Sequence, residues 1–201
     1  DENRNHLYVV TGNPQTKNSF MLGIDRVGDN LYSNSVVCID IITNKILWHF
    51  QDTSHDLWDF DVSFPPILSS INFDNKIVDI LVIVSKSGNT FIINRETGKN
   101  VFDYEMLRVK QSEIKGEFTS SHQKRSLSPL PLMDIKIDIK ELSAFTEDIK
   151  EFNLKNFKDG ASNNYIPPIL NKKIFIRGVS GGGQWYGGSI DTSQNILYVP
   201  V

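Results

Sequence analysis

Short apolar runs rich in β-branched and aromatic side chains alternate with polar turns along the first half of the chain. Asn5-His6-Leu7-Tyr8-Val9-Val10 stops at Thr11-Gly12-Asn13-Pro14 and reads as a strand. Residues 15–34 are polar and turn-rich, a loop. Residues 35–39 (Ser-Val-Val-Cys-Ile) form a second strand and residues 46–50 (Ile-Leu-Trp-His-Phe) a third, with a turn over 40–45 between them. Asn44 falls where that turn wants a positive φ, a position glycine usually fills. Leu81-Val82-Ile83-Val84 is a further β-branched run, and it ends in a cation before a glycine at Ser85-Lys86-Ser87-Gly88.

The pattern repeats. Asp40, Thr43, Lys45 and Trp48 correspond to Asn94, Thr97, Lys99 and Phe102, each displaced by 54 residues. A strand, a Thr-Asn/Gly-Lys turn, a strand and a fixed aromatic make one all-β unit, and such units in series mark a propeller of four-stranded antiparallel sheets. Trp48 and Phe102 are expected to pack between neighbouring sheets and not to stack on a ligand. Asn195-Ile196-Leu197-Tyr198-Val199 echoes Asn5-His6-Leu7-Tyr8-Val9 at a displacement of 190. The expectation is therefore a piece of a longer propeller, since a ring closes only with about four to eight blades.

Between Phe102 and Ile174 the β rhythm fades. Residues 105–125 are charged and polar, and Ser126-Leu127-Ser128-Pro129-Leu130-Pro131-Leu132 reads as extended. Residues 138–157 place Ile139, Leu142, Phe145, Ile149 and Phe152 three or four apart, an amphipathic helical pattern with a fresh start at Thr146-Glu147-Asp148. The organisation expected is blades over 1–103, an inter-blade insertion over 104–174 packed on the side or rim, and the next blade over 175–201.

The densest chemistry lies in Ser54-His55-Asp56-Leu57-Trp58-Asp59-Phe60-Asp61. An Asp-rich loop can be solvated turn chemistry. It can also be a hard-cation or general-base site, because carboxylate oxygens suit Ca²⁺ and an ionised Asp takes a proton. Asn13 and Lys86 end two apolar runs and would add an amide oxygen and an ammonium to one site.

Thr11-Gly12-Asn13-Pro14, then Gly28-Asp29-Asn30-Leu31-Tyr32-Ser33-Asn34-Ser35, then the His55–Asp61 stretch, resemble in type and order the pyrroloquinoline quinone (PQQ)-dependent dehydrogenases, the quinoprotein alcohol and glucose dehydrogenases. Ser85-Lys86-Ser87-Gly88 with Asn94-Arg95-Glu96-Thr97-Gly98-Lys99 extends the match. Gly181-Gly182-Gly183-Gln184-Trp185 resembles the family's Gly-Gly-x-Asn-Trp segment near the quinone. Residues 104–174 match more weakly, and their bulk is similar to the insertions of the membrane glucose dehydrogenase branch.

The resemblance implies an all-β fold, about three blades of an eight-bladed β-propeller, with a helical insertion. It implies PQQ and Ca²⁺ (or Mg²⁺) as cofactors. Asn13 and Asp59 take the metal-ligand positions, Asp59 that of the catalytic base, and Lys86 that of the cation on the reactive quinone oxygens. Gln184 and Trp185 take cofactor-contact positions, Gln184 departing from the family's Asn by one methylene. Asp56 and Asp61 are left to the loop's own hydrogen bonds, His55 to orienting it and Trp58 to packing. The substrate implied is an alcohol, polyol or sugar, with the sugar or polyol branch favoured, and the acceptor ubiquinone or cytochrome c. The location implied is the periplasm, any membrane attachment coming through a part N-terminal to this chain. The competing class is a non-catalytic propeller scaffold of outer-membrane assembly machinery, which shares the Thr-Gly-Lys-x-x-Trp repeat.

Composition narrows this further. At 201 residues and a net charge of −3, the chain is long enough for a sizeable core and has no basic footprint for nucleic acid. No apolar run approaches the ~18 residues of a membrane span. Cys38 is the single cysteine, so no internal disulfide forms, and its apolar neighbours make it a small buried hydrophobe. His6, His49, His55 and His122 show no zinc-type spacing.

Overall fold

The computed structural model describes residues 1–15, 23–142, 144–158, 160–177 and 181–201. Part of the loop expected over 15–34, residues 16–22, lies outside the described residues.

Strands β1 (His6–Val10), β2 (Ser35–Asp40) and β3 (Lys45–Gln51) form one antiparallel sheet in that order. Strands β4 (Ile67–Phe73), β5 (Lys76–Val84) and β6 (Thr90–Asn94) form a second, with β5 central. A hairpin of β7 (Tyr104–Arg108) and β8 (His122–Ser126) follows. Then come a 3-10 turn at Ile139–Glu141, helix α1 (Glu147–Lys158), and a two-residue parallel pair of β9 (Gly160–Ala161) and β10 (Lys173–Ile174). A last hairpin joins β11 (Ser189–Asp191) to β12 (Ile196–Tyr198). The β-rich reading with few helices holds, and α1 starts where Thr146-Glu147-Asp148 placed a helix start. Among the described residues the sheets have two or three strands, not the four expected, and they do not close into a ring.

The second sheet shows how period two builds the stack. Successive side chains of β5 point to opposite faces. Leu81 and Ile83 join Val36, Phe50, Val62, Phe91 and Ile93 in a core against the first sheet. Ile80, Val82 and Val84 join Phe64, Ile67, Leu197 and Val199 on the opposite face, against the last hairpin. A strand covered on both faces reads as an unbroken apolar run, as Ile80–Val84 does.

The 54-residue echo is a repeated hairpin turn. Asp40 Oδ1 accepts the Ile42 and Thr43 N–H groups, and Asn94 Oδ1 accepts those of Glu96 and Thr97. Asp191 does the same with Ser193 and Gln194. Asn44 (φ 57°) and Gly98 (φ 69°) occupy the left-handed position in their turns. Trp48 docks on the neighbouring unit, its Nε1–H donating to Arg95 O at 3.1 Å. Phe102 packs edge-on against Phe73, with centroids 5.4 Å apart. Both aromatics therefore serve packing. After Asn94 the repeat breaks. Asn100 accepts the Ile92 N–H through its side chain and donates to Phe102 O, so only an Ile93–Asn100 bridge forms and no full strand.

A Cβ added at Gly98 would lie 2.7 Å from the Trp48 ring. Gly98→Ala thus combines a strained φ with a clash, and we expect it to cost roughly 1–3 kcal/mol in denaturant melts of the full-length protein. An unchanged midpoint would show that Trp48 does not dock there.

Helix α1 buries none of its residues completely. It meets the body through Phe157 on Phe175 and leaves Phe152 67% exposed. Cys38 is fully buried and free. Among the described residues no helix is long and apolar enough to cross a membrane.

Candidate active site

The loop after β3 folds around Asp56. Its carboxylate is fully buried and accepts the N–H groups of Trp58 and Phe60, both at 2.7 Å, and Asn34 Nδ2–H at 2.8 Å. Burial pushes this carboxyl up to about 6, against the three N–H donors that favour the ionised form. His55, also buried, donates from Nδ1 to Gly28 O at 2.7 Å and lowers its own affinity for a second proton through burial. Trp58 is buried, stacks on Phe60, meets Tyr165 edge-on and donates from Nε1 to Ile166 O at 2.7 Å. His55 orients this loop and Trp58 anchors it. Asp59 projects from a left-handed residue (φ 67°).

Asp56 yields a pH prediction. A carboxyl that keeps its proton in the fold up to about pH 6 but loses it near 4 when unfolded makes stability fall as pH rises through that window. Asp56→Asn should show lower stability, because an amide N–H₂ faces N–H donors, and a flatter slope between pH 4 and 6. Parallel slopes in denaturant melts of the two proteins would contradict this.

Lys86 follows the end of β5 and reaches back to this loop. Its Nζ donates to Asp61 Oδ2 at 2.7 Å and to Asp59 Oδ2 at 2.9 Å. Burial disfavours the ammonium, but the bonds to Asp61 and Asp59 outweigh it and raise its pKa, so Lys86 stays charged. Burial also raises the Asp59 carboxyl; the Lys86 hydrogen bond opposes that rise and the Asp61 charge adds to it.

Asp61 is the node that sequence reasoning missed. Besides Lys86 it accepts the Asn13 N–H on Oδ1 at 2.6 Å, and its own carbonyl accepts the Lys86 N–H at 2.9 Å. A Cβ on Gly12 would sit 2.9 Å from the same Oδ1, so the glycine leaves room for this contact. Asp61 therefore ties the Thr-Gly-Asn turn, the Asp loop and the Lys turn into one site.

The glycine run brings in the last piece. Gly182 N–H donates to Lys86 O at 2.9 Å and Gly183 N–H to Ser85 O at 3.0 Å. A Cβ at Gly181 would lie 2.6 Å from Lys86 Cα, and one at Gly183 2.6 Å from Val84 Cγ1. The glycines thus permit close approach to the Lys86 turn, and Trp185 follows with its ring centroid 5.3 Å from Lys86 Nζ. Trp185 is 59% exposed. Gln184 is half-buried and set by its N–H on Pro200 O. Asp59, Asp61, Lys86 and Trp185 are brought together, and Asn13 joins them through its backbone.

Sheets packed face to face, with their loop ends gathering these charges, are the arrangement of a β-propeller. Residues 1–201 match the family model described as "PQQ: Glucose/ethanol/alcohol dehydrogenase, beta-propeller domain", and the chain belongs to that family. It is 31% identical over 175 residues to quinoprotein glucose dehydrogenase A of Acinetobacter calcoaceticus, covering 82% of this chain and 21% of that protein. With the glycerol dehydrogenase large subunit of Gluconobacter thailandicus it shares 29% identity over 203 residues, 98% of this chain and 27% of the relative. The solved quinohemoprotein alcohol dehydrogenase of Pseudomonas putida HK5 superposes with a TM-score of 0.59 at 22% identity, covering 100% of this chain and 24% of that one, a likeness of fold. The chain thus spans about a fifth to a quarter of these proteins' length.

The residues fit the cofactors that such a family implies, in part. An ammonium and an exposed indole side by side suit a planar anionic quinone. Asp59 and the Asn13 amide are hard oxygen donors suited to Ca²⁺ or Mg²⁺. Among the described residues no three His, Cys, Asp or Glu side chains group to hold a metal by themselves, so Asp59 and Asn13 would supply only part of a coordination shell there.

Proposed function

We propose that the protein carrying this chain is a PQQ-dependent dehydrogenase that oxidises an alcohol, polyol or sugar hydroxyl, with Asp59 as the general base. The observation that carries this reading is the pair of carboxylates on one buried ammonium. Of the two, Asp61 has both oxygens engaged and a side chain only 6% exposed, whereas Asp59 is bonded by Lys86 through one oxygen and is 15% exposed. Asp59 is the group left to meet a substrate hydroxyl and take its proton. Lys86 holds Asp59 in place, and its remaining N–H would be the donor available to the oxygens of a bound quinone, a cation suited to stabilising negative charge there.

PQQ, when bound, supplies the redox chemistry. Asn13 and Asp59 would hold Ca²⁺ or Mg²⁺, whose charge keeps the carboxylate ionised near neutral pH. Trp185 offers a face to the quinone, with Gln184 beside it. We read 1–103 as the blades bearing this site, 104–174 as an inter-blade insertion and 175–201 as the next blade, in an eight-bladed ring. Ubiquinone or cytochrome c is the acceptor in this reading, and the periplasm the location. The named relatives act on glucose, glycerol and alcohol, and the sugar or polyol class is the one we favour. A non-catalytic scaffold has no need of a buried Lys–Asp–Asp cluster beside an exposed indole.

Steady-state rates of the full-length protein on glucose, quinate, ethanol and methanol, with an artificial electron acceptor, test the proposal. We expect PQQ-dependent turnover, fastest on a sugar or polyol. Absence of PQQ-dependent turnover on every hydroxyl substrate would overturn it.

A further inference from the structure

β8 touches both elements that carry the site's charges. Gln123, 1% exposed, closes two hydrogen bonds on the backbone of Ser54. The Ser54 N–H donates to Oε1 at 2.9 Å, and Nε2–H donates to Ser54 O at 2.5 Å. On the other side Asn89, just past Lys86, closes the matching pair on β8. Its Nδ2–H donates to Lys124 O at 3.0 Å and its Oδ1 accepts the Ser126 N–H at 3.0 Å. The segment beyond β8 adds a third tie, Leu132 N–H donating to Gly88 O at 2.8 Å. Two buried primary amides thus stand in for strand pairing, one facing the Asp loop and one facing the Lys turn.

We infer that the β7–β8 hairpin is a brace that fixes the Asp59 loop relative to the Lys86 turn, and that Gln123 is a positioning residue acting through Ser54. The link from Ser54 to Asp59 is stiff. Asp56 holds the Trp58 and Phe60 N–H groups, and Trp58 is pinned to Ile166 O. A shift at Ser54 is therefore carried to Asp59, and a misplacement of ~1 Å in a reacting group costs on the order of 10²-fold in rate. The inference rests on the reading of Asp59 and Lys86 as the reacting pair; the brace itself does not depend on the quinone.

Gln123→Met keeps the side chain's length without donor or acceptor, and Gln123→Glu keeps the acceptor for the Ser54 N–H. Hydrogen exchange of residues 53–61 is measured in the full-length protein without PQQ, and kcat, KM and melting with PQQ loaded. In Gln123→Met, which loses both bonds to Ser54, we expect exchange of 53–61 to speed up at least about tenfold, while other segments keep their wild-type rates. We expect kcat to fall about tenfold with KM within about two-fold, the mark of lost alignment and not of lost binding. Gln123→Glu, which keeps the Ser54 N–H bond but sets an acceptor against Ser54 O, should also speed exchange of 53–61 and lower kcat, and decides the matter by the same comparison should the Met variant not fold. Wild-type exchange at 53–61, exchange that rises uniformly along the chain, or loosened exchange with unchanged kcat would each overturn the inference. Faster local exchange in a protein whose wild type shows no PQQ-dependent turnover would leave the brace standing and remove the dehydrogenase reading instead.

Discussion

Asp59→Asn in the full-length protein should leave a folded propeller that still binds PQQ yet turns over substrate about 10²–10⁴-fold more slowly, the span of a general-base contribution. The amide is isosteric and tolerates the left-handed backbone found here, where φ is 67°. It still offers Lys86 an oxygen, so the 2.9 Å contact has a successor. What it cannot do is accept the hydroxyl proton. Burial and the neighbouring Asp61 charge raise the proton affinity of the Asp59 carboxyl, which makes it a stronger base than an exposed aspartate. The check is kcat beside PQQ occupancy by absorbance. Near-normal turnover at full occupancy would remove Asp59 from the base role.

Lys86→Met should be the most damaging single change to stability. The wild-type ammonium, its side chain 8% exposed, bridges two carboxylates that are 15% and 6% exposed. Removing it leaves two neighbouring buried charges uncompensated, which costs about 3–5 kcal/mol. The loss carries a pH signature. Without the cation, burial acts unopposed on the Asp59 carboxyl, which holds its proton in the fold where the unfolded chain releases it near pH 4, so the variant's stability falls as pH rises above that point. Denaturant melts at pH 5 and pH 8 should show the variant weaker at the higher pH by more than the wild type. Equal deficits at both would contradict the bridge.

The first three strands and the hairpin turns were legible because each carries a local mark: a β-branched run, or an Asp/Asn at the turn with Asn44 or Gly98 at the left-handed position. Trp48 was legible as packing for the same reason. The site was legible only in part. Three aspartates lie within six residues, and nothing local separates Asp56, the loop's hydrogen-bond hub, from Asp61, the link to Asn13 and Lys86; that division exists only once β5 lies beside the loop. The glycine run read as cofactor-proximal, while its packing reason, close approach to the Lys86 turn, needed the neighbouring backbone. Strands β7 and β8 escaped notice because Glu105, Arg108, Lys124 and Arg125 break the apolar pattern of a half-exposed hairpin. Gln123 sits among Lys and Arg like a surface residue, and its job appears only in its two bonds to Ser54, 69 residues earlier. Asn100, by contrast, ended a predicted strand by using its side chain where a backbone partner was expected.

The most direct test of the site as a whole is the absorbance of the full-length protein after loading with PQQ and Ca²⁺, removing free cofactor and adding an alcohol or sugar under argon. We expect the quinone band to be retained at stoichiometric occupancy and to give way to the reduced spectrum on addition of substrate. A protein that retains no PQQ, or a retained quinone band that no hydroxyl substrate alters, would contradict it.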